Sequence, residues 1–475
     1  MWTDAIALTV YAAVVAAGVL SGVHALLHKR DPRSQLGWLV LCVLVPVFGA
    51  FFYWLLGVNR IKTRAQRWAA EGHWGPDASA KELQSADPVS ADRMRSLLRL
   101  AKAVTGRPLL AGNRVDVLHN GEQAYPAMID AIANAQKTVH LCTYIWETDD
   151  VGRQFVDALA AAARRGVRVR ALVDAIGERY SRPRVTRLLR DVDGVEVARF
   201  LPLVLSLRGL RVNLRNHRKI LVVDSEVGFT GGMNIGGRHM VTRPDNPKRA
   251  VDIHFRIEGQ GVAFLEEAFA ADWLFTTGKE TGWPGYRPMD DRGPALVRGI
   301  MDGPNEDLET LQWVLIGALA AARDRVCIMT PYFIPSREMI AALSSAALRG
   351  VSVEILLPSD NNLPFVAWAS NACLWEILQH GVRVFFRPPP FAHSKLFLVD
   401  DYYAIVGSAN IDPRSLRLNF EFNLEIYDAA LGASLVSHFD DVRAESREVT
   451  LDDVNARPLW MKLRDSTCKL FSPYL

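Results

Sequence analysis

Cysteine is scarce in this chain, and the few cysteines are poorly placed for a disulfide framework. The 475 residues include five of them, Cys42, Cys142, Cys327, Cys373 and Cys468, and no two form a C-x-x-C pair. Their odd number and wide scatter exclude a small fold held together by disulfides. We expect a reducing compartment or simply buried thiols.

An excess of charge of one sign is also missing. There are 55 Lys and Arg residues against 52 Asp and Glu, which leaves a formal net charge of +3. Residues 1–67 carry +5 and residues 68–475 carry −2. A dedicated DNA- or RNA-binding protein usually has a basic footprint over its main domain. We therefore expect no nucleic-acid partner.

Charged residues are absent from two long apolar stretches near the N-terminus. Residues 5–27 and 36–58 contain no Asp, Glu, Lys or Arg. As a helix, each stretch would be about 34 Å long, against about 30 Å for the hydrocarbon core of a bilayer. A cleaved signal peptide followed by one anchor is the alternative, but the first stretch is too long and nothing basic precedes it. The sequence predicts a two-helix transmembrane hairpin over residues 1–58.

A hairpin of two spans would leave the N-terminus and the main body in the same compartment. Three Lys or Arg residues lie between the stretches, at 29, 30 and 33, and four follow, at 60, 62, 64 and 67. Because positive charge favours the cytoplasmic side, this small difference favours a cytoplasmic main body. We expect a multi-pass membrane protein with its main body on the cytoplasmic side and the lipid bilayer as a partner.

The remainder of the chain is an internal repeat. Residues 59–107 are polar and are predicted to be a linker. From residue 108 onward, short β-branched runs alternate with helical patterns, which indicates an α/β fold with a mostly parallel sheet. Segments of one half match the other in the same order: VHLCTYIW (139–146) with VCIMTPYF (326–333), HRKILVVD (217–224) with HSKLFLVD (393–400), and GGMNI (231–235) with GSANI (407–411). We predict two duplicated domains, residues 108–290 and 291–475, with pseudo-twofold symmetry.

Each half contains the same set of polar residues at the same internal spacing. In a strand, residues i and i+2 point to one face, so His217 projects with Lys219 and His393 with Lys395. The motif ends at Asp224 and Asp400, and the G-x-x-N segments place Asn234 and Asn410 near a ligand. Strands farther along place Asp252 and Glu421 in equivalent positions, where each could support a histidine through its second ring nitrogen.

Two histidines and two lysines around one point suit a phosphodiester. Lysines and asparagines would stabilise the negative charge of phosphoryl transfer, and two histidines could divide nucleophilic attack and proton donation. A metal site is disfavoured, because the histidines lack metal-ligand spacing and a lysine two residues away opposes a divalent cation. We expect neither a metal nor another cofactor.

The doubled H-x-K-x-x-x-x-D motif with G-x-x-N resembles the phospholipase D superfamily, whose members act through a phosphohistidine intermediate without a metal. RNHRKILVVD, AHSKLFLVDD and the N-terminal RDPRSQLGWLVLCVLVPVFG are similar to the bacterial cardiolipin synthases of that superfamily. The resemblance covers nearly the whole chain. It implies His217, Lys219, Asp224, His393, Lys395 and Asp400 as catalytic residues, with His217 as the nucleophile and His393 as acid and then base. Residue types alone do not order the two histidines.

The implied reaction transfers a phosphatidyl group from one phosphatidylglycerol to a second, giving cardiolipin and glycerol. Two alternatives stay open: a membrane-anchored phospholipase D that hydrolyses phospholipid to phosphatidic acid, and a lipid-binding scaffold without activity. Oligomeric state and acyl-chain preference are not given by the sequence. Three segments with apolar and basic residues, 200–212, 362–375 and 458–471, are candidates for docking on the bilayer or for packing on the core.

Overall fold

The computed structural model describes residues 2–29, 32–58, 94–202, 214–303 and 309–472. These residues belong to two compact units: an N-terminal apolar unit that ends at residue 58, and a large unit that begins at residue 94. The predicted linker lies outside the described residues up to residue 93. Residues 203–212 of the docking candidate at 200–212 also lie outside them.

The N-terminal apolar unit contains one helix that is long and apolar enough to cross a membrane. Its elements are α1 (Trp2–His28), α2 (Pro32–Leu44), α3 (Pro46–Phe52) and a π-helical turn, Tyr53–Gly57. The apolar part of α1, Thr3–His28, has 26 residues. At about 1.5 Å per residue it is longer than the hydrocarbon core of a bilayer. The first predicted span is therefore present as a single helix.

The second apolar stretch forms shorter helices and not a second long one, so one of the two predicted spans is found among the described residues. It is interrupted at Val45, before Pro46, which has no backbone N–H to continue the helix. The chain then reverses direction. Gln35, at the beginning of α2, donates hydrogen bonds to the carbonyls of Leu26 (2.9 Å) and Lys29 (2.7 Å), and Lys29 donates in turn to the carbonyl of Gly57. The stretch therefore begins and ends at the same end of α1.

Small residues on α1 allow this close packing. Gly18, Ser21, Gly22 and Ala25 form its buried face. A Cβ atom at Gly22 would lie 2.9 Å from Cδ1 of Leu39, and one at Gly18 would lie 2.5 Å from the carbonyl oxygen of Cys42. Small residues at this spacing are typical of helices that pack closely in membranes. The turn after α2 thus lies beside the middle of α1, not beside its N-terminus.

The large unit is built on one sheet of fifteen strands among the described residues. The strands of the first half are β1 (Leu110–His119), β2 (Thr138–Thr143), β3 (Arg168–Asp174), β4 (Val195–Phe200), β5 (Ile220–Val223), β6 (Val227–Gly231) and β8 (Ile253–Glu258). Those of the second are β9 (Ala295–Asp302), β10 (Arg325–Met329), β11 (Ser352–Pro358), β12 (Arg383–Arg387), β14 (Leu396–Val399), β15 (Tyr403–Gly407), β16 (Glu421–Tyr427) and the edge strand β17 (Arg447–Val449). A separate two-stranded sheet joins β7 (Ala250–Val251) to β13 (Phe391–Ala392).

The strand order repeats on the two sides of the sheet. Strands β1 and β9 are neighbours at the centre. Outward from them the order is β8, β6, β5, β2, β3 and β4 in the first half, and β16, β15, β14, β10, β11 and β12 in the second. This repetition is what an internal duplication predicts. The domain boundary at residues 290 and 291 falls between two elements and stays a prediction.

The sheet is less parallel than the sequence suggested. Only β2, β3 and β4, and likewise β10, β11 and β12, are parallel neighbours, and the other pairs within each half are antiparallel. Strands β5 and β6 are joined by three residues, as are β14 and β15. A connection that short can only join antiparallel strands. The short turn after each H-x-K motif therefore decides the direction of the next strand.

Helices cover the sheet and complete one hydrophobic core in each half. They are α4 (Arg95–Thr105), α5 (Asn120–Asn134), α6 (Asp150–Arg164), α7 (Val185–Arg190), α8 (Val262–Thr277), α9 (Thr310–Ala321), α10 (Arg337–Leu348), α11 (Pro364–Leu378), α12 (Pro413–Arg417), α13 (Ala429–Ala444), α14 (Leu451–Asn455) and α15 (Leu459–Leu470). Leu97 and Ala101 of α4 lie in the core of the second half. The end of the predicted linker is therefore part of the large unit.

Two of the predicted docking segments form helices with exposed apolar side chains. In α11, Phe365 is 61% exposed, and in α15, Trp460 and Leu463 are 59% and 60% exposed. Arg464 lies over the ring of Trp368, with 4.3 Å between its guanidinium carbon and the ring centroid. Contact of these helices with a bilayer stays a prediction.

Candidate active site

The candidate active site is a cavity of about 1130 Å³ to which both halves of the large unit contribute. Its lining includes His217, Asn234, His393 and Asn410 of the predicted site. His217 lies just before β5 and its N–H donates to the carbonyl of Phe420 (2.9 Å), while His393 follows β13 and its N–H donates to the carbonyl of Val251 (2.8 Å). Each histidine is therefore fixed through its backbone to the other half.

Each histidine side chain is also paired with a carboxylate of the other half. Nδ1 of His217 lies 3.0 Å from Oε2 of Glu421, and Nδ1 of His393 lies 2.7 Å from Oδ2 of Asp252. Both carboxylates are fully buried. Since an ionised carboxylate only accepts hydrogen bonds, Nδ1 carries the proton in each ring and Nε2 keeps its lone pair. The sequence named both carboxylates but not this crossed pairing.

The two carboxylates are held differently. Oε2 of Glu421 accepts a hydrogen bond from Ser408 (2.5 Å), and its Oε1 accepts one from the side-chain amide of Asn419 (3.2 Å). Gly232 takes the place of Ser408 in the first half, where a Cβ atom would lie 2.5 Å from Oδ1 of Asp252. The glycine of the first motif, Gly232, therefore leaves room for the carboxylate of Asp252, and the serine of the second, Ser408, binds the longer side chain of Glu421.

The two lysines are buried beside the histidines. Nζ of Lys219 donates to the carbonyl of His217 (2.6 Å), and Nζ of Lys395 donates to the carbonyl of His393 (2.5 Å). Nζ of Lys395 is also 3.2 Å from Nε2 of His393. Among the described residues, Nε2 of His217 has no such partner. The two halves are therefore alike in residue type but differ in hydrogen bonding.

Burial lowers the pKa of all four cationic groups. It lowers the pKa of Lys219 to about 7 and that of Lys395 to about 8, although Glu421 and Asp252 oppose the shift in both. It also lowers the pKa of His217 to about 4 and that of His393 well below its ordinary value. Burial alone would raise the pKa of Glu421, but the charge and hydrogen bond of His217 hold it below the usual value. At neutral pH the site therefore has neutral imidazoles beside lysines whose pKa values are close to the ambient pH.

The two motif asparagines line the cavity. Oδ1 of Asn234 accepts the N–H of Ile145 (3.0 Å), which leaves the amide nitrogen of Asn234 on the other side. Nδ2 of Asn410 lies 3.2 Å from Oγ of Ser415. Both asparagines therefore lie at the cavity, and contact of their amides with a ligand stays a prediction.

The aspartates of the H-x-K-x-x-x-x-D motif do not lie at the cavity, which corrects their assignment as catalytic residues. Each follows a four-residue strand, at the opposite end from its histidine. The carboxylate of Asp224 accepts the backbone N–H groups of Gln136, Lys137 and Thr138 at 2.7–2.8 Å. Asp400 accepts those of Asp324 and Arg325 at 2.9 and 3.0 Å. These aspartates fix the beginning of the adjacent strand and do not contact a substrate in the cavity.

Replacing Asp224 should therefore lower the stability of the fold and have little effect on the catalytic rate. In Asp224→Ala three backbone N–H groups lose their acceptor, and at about 1 kcal/mol for each lost bond the protein should be about 3 kcal/mol less stable. We expect a lower midpoint of thermal unfolding and nearly unchanged kcat per folded molecule. Asp400→Ala, with two bonds lost, should be milder. A loss of kcat above a hundredfold in folded Asp224→Ala would contradict this role.

Other residues of the cavity were not recognised from sequence. Arg238 and Arg414 each lie four residues after a motif asparagine, at the same offset of 176 residues that relates the two motifs. Arg238 forms an ion pair with Glu147, whereas Arg414 forms none with any described residue. Tyr144 packs edge-on against His217, with 5.3 Å between ring centroids. Extending the repeat comparison by four residues would have found both arginines.

No group of three or more His, Cys, Asp or Glu side chains in the described ranges is arranged to hold a metal ion. The cavity instead brings together two imidazoles and two amides, and the two lysine ammonium groups are buried beside the imidazoles. This set can bind a phosphodiester, attack its phosphorus and exchange a proton with the leaving group.

Comparisons with known proteins agree with this reading of the site. The family described as "Cardiolipin synthase, PLD-like domain" matches residues 128–273 and 315–443, and the family described as "Phospholipase_D-nuclease N-terminal" matches residues 7–57. The major cardiolipin synthase of Bacillus subtilis (strain 168) is 32% identical over 466 residues, which cover 94% of this chain and 95% of that protein. Cardiolipin synthase 2 of Bacillus anthracis is 32% identical over 469 residues, covering 96% and 90%.

The fold also resembles a solved structure. Phosphatidylserine synthase of Haemophilus influenzae Rd KW20 superposes with a TM-score of 0.61 at 17% identity, over 80% of this chain and 100% of that chain. At this level of identity the likeness concerns the fold alone. The α/β architecture of the large unit is shared with that protein.

Proposed function

The chain belongs to the cardiolipin synthase family with phospholipase D-like domains, and we propose that it transfers a phosphatidyl group from one phosphatidylglycerol to another, giving cardiolipin and glycerol. The observation that carries this proposal is the convergence of both histidines, each with its own carboxylate, in one cavity. At about 1130 Å³ the cavity exceeds the usual range of about 300–1,000 Å³ for small-ligand pockets, and it has room for two lipid headgroups.

In the first step, Nε2 of His217 attacks the phosphorus of the donor lipid. This nitrogen has a lone pair and no protein partner among the described residues, whereas Nε2 of His393 accepts a hydrogen bond from Lys395. A bond forms between nitrogen and phosphorus, and the bond between phosphorus and the glycerol oxygen breaks. The departing oxygen takes a proton from His393, which Lys395 supplies. The asymmetry between the histidines supports the assignment of His217 as nucleophile.

In the second step, the hydroxyl of the acceptor lipid enters where glycerol left. Its oxygen bonds to phosphorus, the phosphorus–nitrogen bond breaks, and its proton passes to His393. From His393 this proton returns to Lys395, which gave up its own proton in the first step. Asn234, Asn410 and Lys219 stabilise the charge on the remaining phosphoryl oxygens during both steps. Each half-reaction therefore uses one histidine for covalent chemistry and the other for proton transfer.

The activity should decrease as the pH rises above neutrality. A lysine is charged below its pKa and loses the charge above it, and the pKa values of Lys219 and Lys395 are lowered to about 7 and about 8. We expect kcat/KM for phosphatidylglycerol to fall as the pH rises through this range, since kcat/KM follows groups of the free enzyme. A profile that stays flat between pH 6 and 9 would contradict the role of the lysines.

The proposed function is tested by lipid analysis of the full chain in mixed micelles with phosphatidylglycerol. Cardiolipin and glycerol in equal amounts, absent in His217→Ala and His393→Ala, are the expected products. Lys279→Ala, an exposed change outside the cavity, serves as the control. Phosphatidic acid without cardiolipin would identify a hydrolase, and absence of any turnover would remove the enzymatic assignment.

We place the protein in the bacterial inner membrane with the large unit on the cytoplasmic side. Because the second apolar stretch returns to the end of α1 where it began, α1 is the one crossing in the described N-terminal unit, and the N-terminus lies on the opposite side from the large unit. The basic residues at 29, 30 and 33 and those at 60, 62, 64 and 67 then share one side. Seven basic residues on one side favour a cytoplasmic location of that side. In a two-span hairpin, by contrast, four of them would oppose the other three.

This topology predicts the labelling of engineered cysteines. In intact cells, Thr3→Cys should react with a membrane-impermeant maleimide, whereas Ala456→Cys in the large unit should react only after permeabilisation. The unsubstituted chain is a suitable background, because its five cysteines are buried. Protection of both positions in intact cells would instead indicate two crossings.

A further inference from the structure

The two halves differ in the segment that connects the motif asparagine to the supporting carboxylate. Asp252 lies 18 positions after Asn234, and Glu421 lies 11 positions after Asn410. The first half therefore has seven additional residues, and they fall in the connection 240–250. We call this connection the cationic loop.

The cationic loop is held in a defined conformation by polar contacts. The side-chain amide of Asn246 donates to the carbonyls of Gly237 (2.9 Å) and Met240 (3.1 Å). Glu122 accepts the backbone N–H and the hydroxyl of Thr242, both at 2.8 Å. Arg243 forms an ion pair with Asp150 at 2.6 Å. The loop is thus fixed at its beginning and middle by residues that do not line the cavity.

Two cations at the end of the cationic loop are left without such partners. Lys248 and Arg249 are exposed, line the cavity, and form no ion pair with any described residue. Ala250 follows at once, and its carbonyl accepts a hydrogen bond from Nδ1 of His239 (3.2 Å). The pair of cations is therefore anchored to the cavity wall by the residue that comes next.

These cations lie on the His393 side of the cavity. Ala250 and Val251 form β7, which pairs with Phe391 and Ala392 of β13, and His393 follows directly. His239 also lies beside His393, with 6.2 Å between ring centroids. Arg238 also lines the cavity, but it is paired with Glu147. Lys248 and Arg249 are exposed cations of this side that form no ion pair with a described carboxylate.

We propose that Lys248 and Arg249 bind the phosphodiester of the acceptor lipid. This inference rests on the proposed function, in which the acceptor hydroxyl approaches from the side of His393. In phosphatidylglycerol that hydroxyl is joined to a second phosphodiester through the three carbons of glycerol. Arg and Lys bind phosphate oxygens through charge-assisted hydrogen bonds. The cationic loop would then select an anionic lipid over water or a neutral alcohol as acceptor.

The test compares two acceptors for one donor. Phosphatidylglycerol in neutral detergent micelles is supplied with 1-butanol, so that the enzyme can form cardiolipin or phosphatidylbutanol. In Lys248→Gln/Arg249→Gln, we expect the ratio of cardiolipin to phosphatidylbutanol to fall about tenfold to hundredfold, through a higher KM for the acceptor lipid. The charge-preserving Lys248→Arg/Arg249→Lys should restore the ratio.

A matched control removes two exposed cations outside the cavity. Lys279→Gln/Arg287→Gln should leave the ratio unchanged. An equal decrease of both products in Lys248→Gln/Arg249→Gln would mean that the cations attract anionic lipid surfaces in general, and it would overturn the acceptor site, as would an unchanged ratio. If the unsubstituted chain forms neither product, the proposed function itself fails, and the acceptor site fails with it.

Discussion

His217→Ala should abolish both transfer and hydrolysis, with every substrate, by at least about 10⁴-fold, since no other group can form the covalent intermediate. His393→Ala should lower cardiolipin synthesis by about 10²–10⁴-fold, the usual contribution of a positioned proton donor. The two variants differ most with a phosphatidyl ester of p-nitrophenol. Its leaving group departs without a proton, so His393→Ala should still release p-nitrophenol in a first turnover, whereas His217→Ala should not.

The intermediate can be observed directly in the same experiment. Acid-labile phosphatidyl label should accumulate on His217 in His393→Ala, because the second step needs a base to activate the acceptor. Mass spectrometry of the quenched protein locates the label. Label on His393 in His217→Ala, together with a p-nitrophenol burst, would reverse the roles of the two histidines and with them the side from which the acceptor enters.

Glu421→Gln should lower kcat by about 10²–10⁴-fold, as expected when a carboxylate that orients a catalytic histidine becomes an amide. The negative charge of Glu421 also raises the pKa of Lys219. Its removal should therefore move the alkaline decrease of kcat/KM to lower pH, which a purely structural role would not do.

The crossed pairing gives this prediction a specific control. Glu421→Gln affects the nucleophile, so a p-nitrophenol leaving group should not rescue it, whereas Asp252→Asn affects the proton donor and should be rescued in the first turnover. Glu425→Gln, on the same strand and equally buried, removes the partner of Arg298 and should reduce stability with little change in kcat per folded molecule. Equal rescue of Glu421→Gln and Asp252→Asn would contradict the pairing.

Much of the site could be predicted because the chain contains it twice. A single H-x-K segment on a strand is common, but the shared offset connected each histidine with a lysine, an asparagine and a carboxylate. The repeat could not reveal that Glu421 pairs with His217 and Asp252 with His393. Each histidine pairs with the carboxylate of the other half because of how the two halves pack together. The sequence pattern within one half carries no information about that packing.

The aspartates of the motif illustrate a second limit of sequence reasoning. Asp224 recurs with His217 at a fixed spacing, yet the four residues of β5 carry it to the far end of the strand. Two residues at a fixed spacing along an extended strand are also separated in space, by about 3.3 Å per residue. Residues that recur together in a motif therefore need not lie in one site. The second apolar stretch of the N-terminal unit is a similar case, since its composition suits a span but the break before Pro46 and the small residues of α1 permit a return.

The crossed carboxylates have an evolutionary consequence. After an internal duplication, one copy is usually free to lose its original residues while the other retains them. Here neither copy contains a complete histidine–carboxylate pair of its own, because His217 depends on Glu421 and His393 depends on Asp252. A loss in either copy therefore impairs the chemistry of the other, and selection acts on the two halves as if they were a single inherited unit.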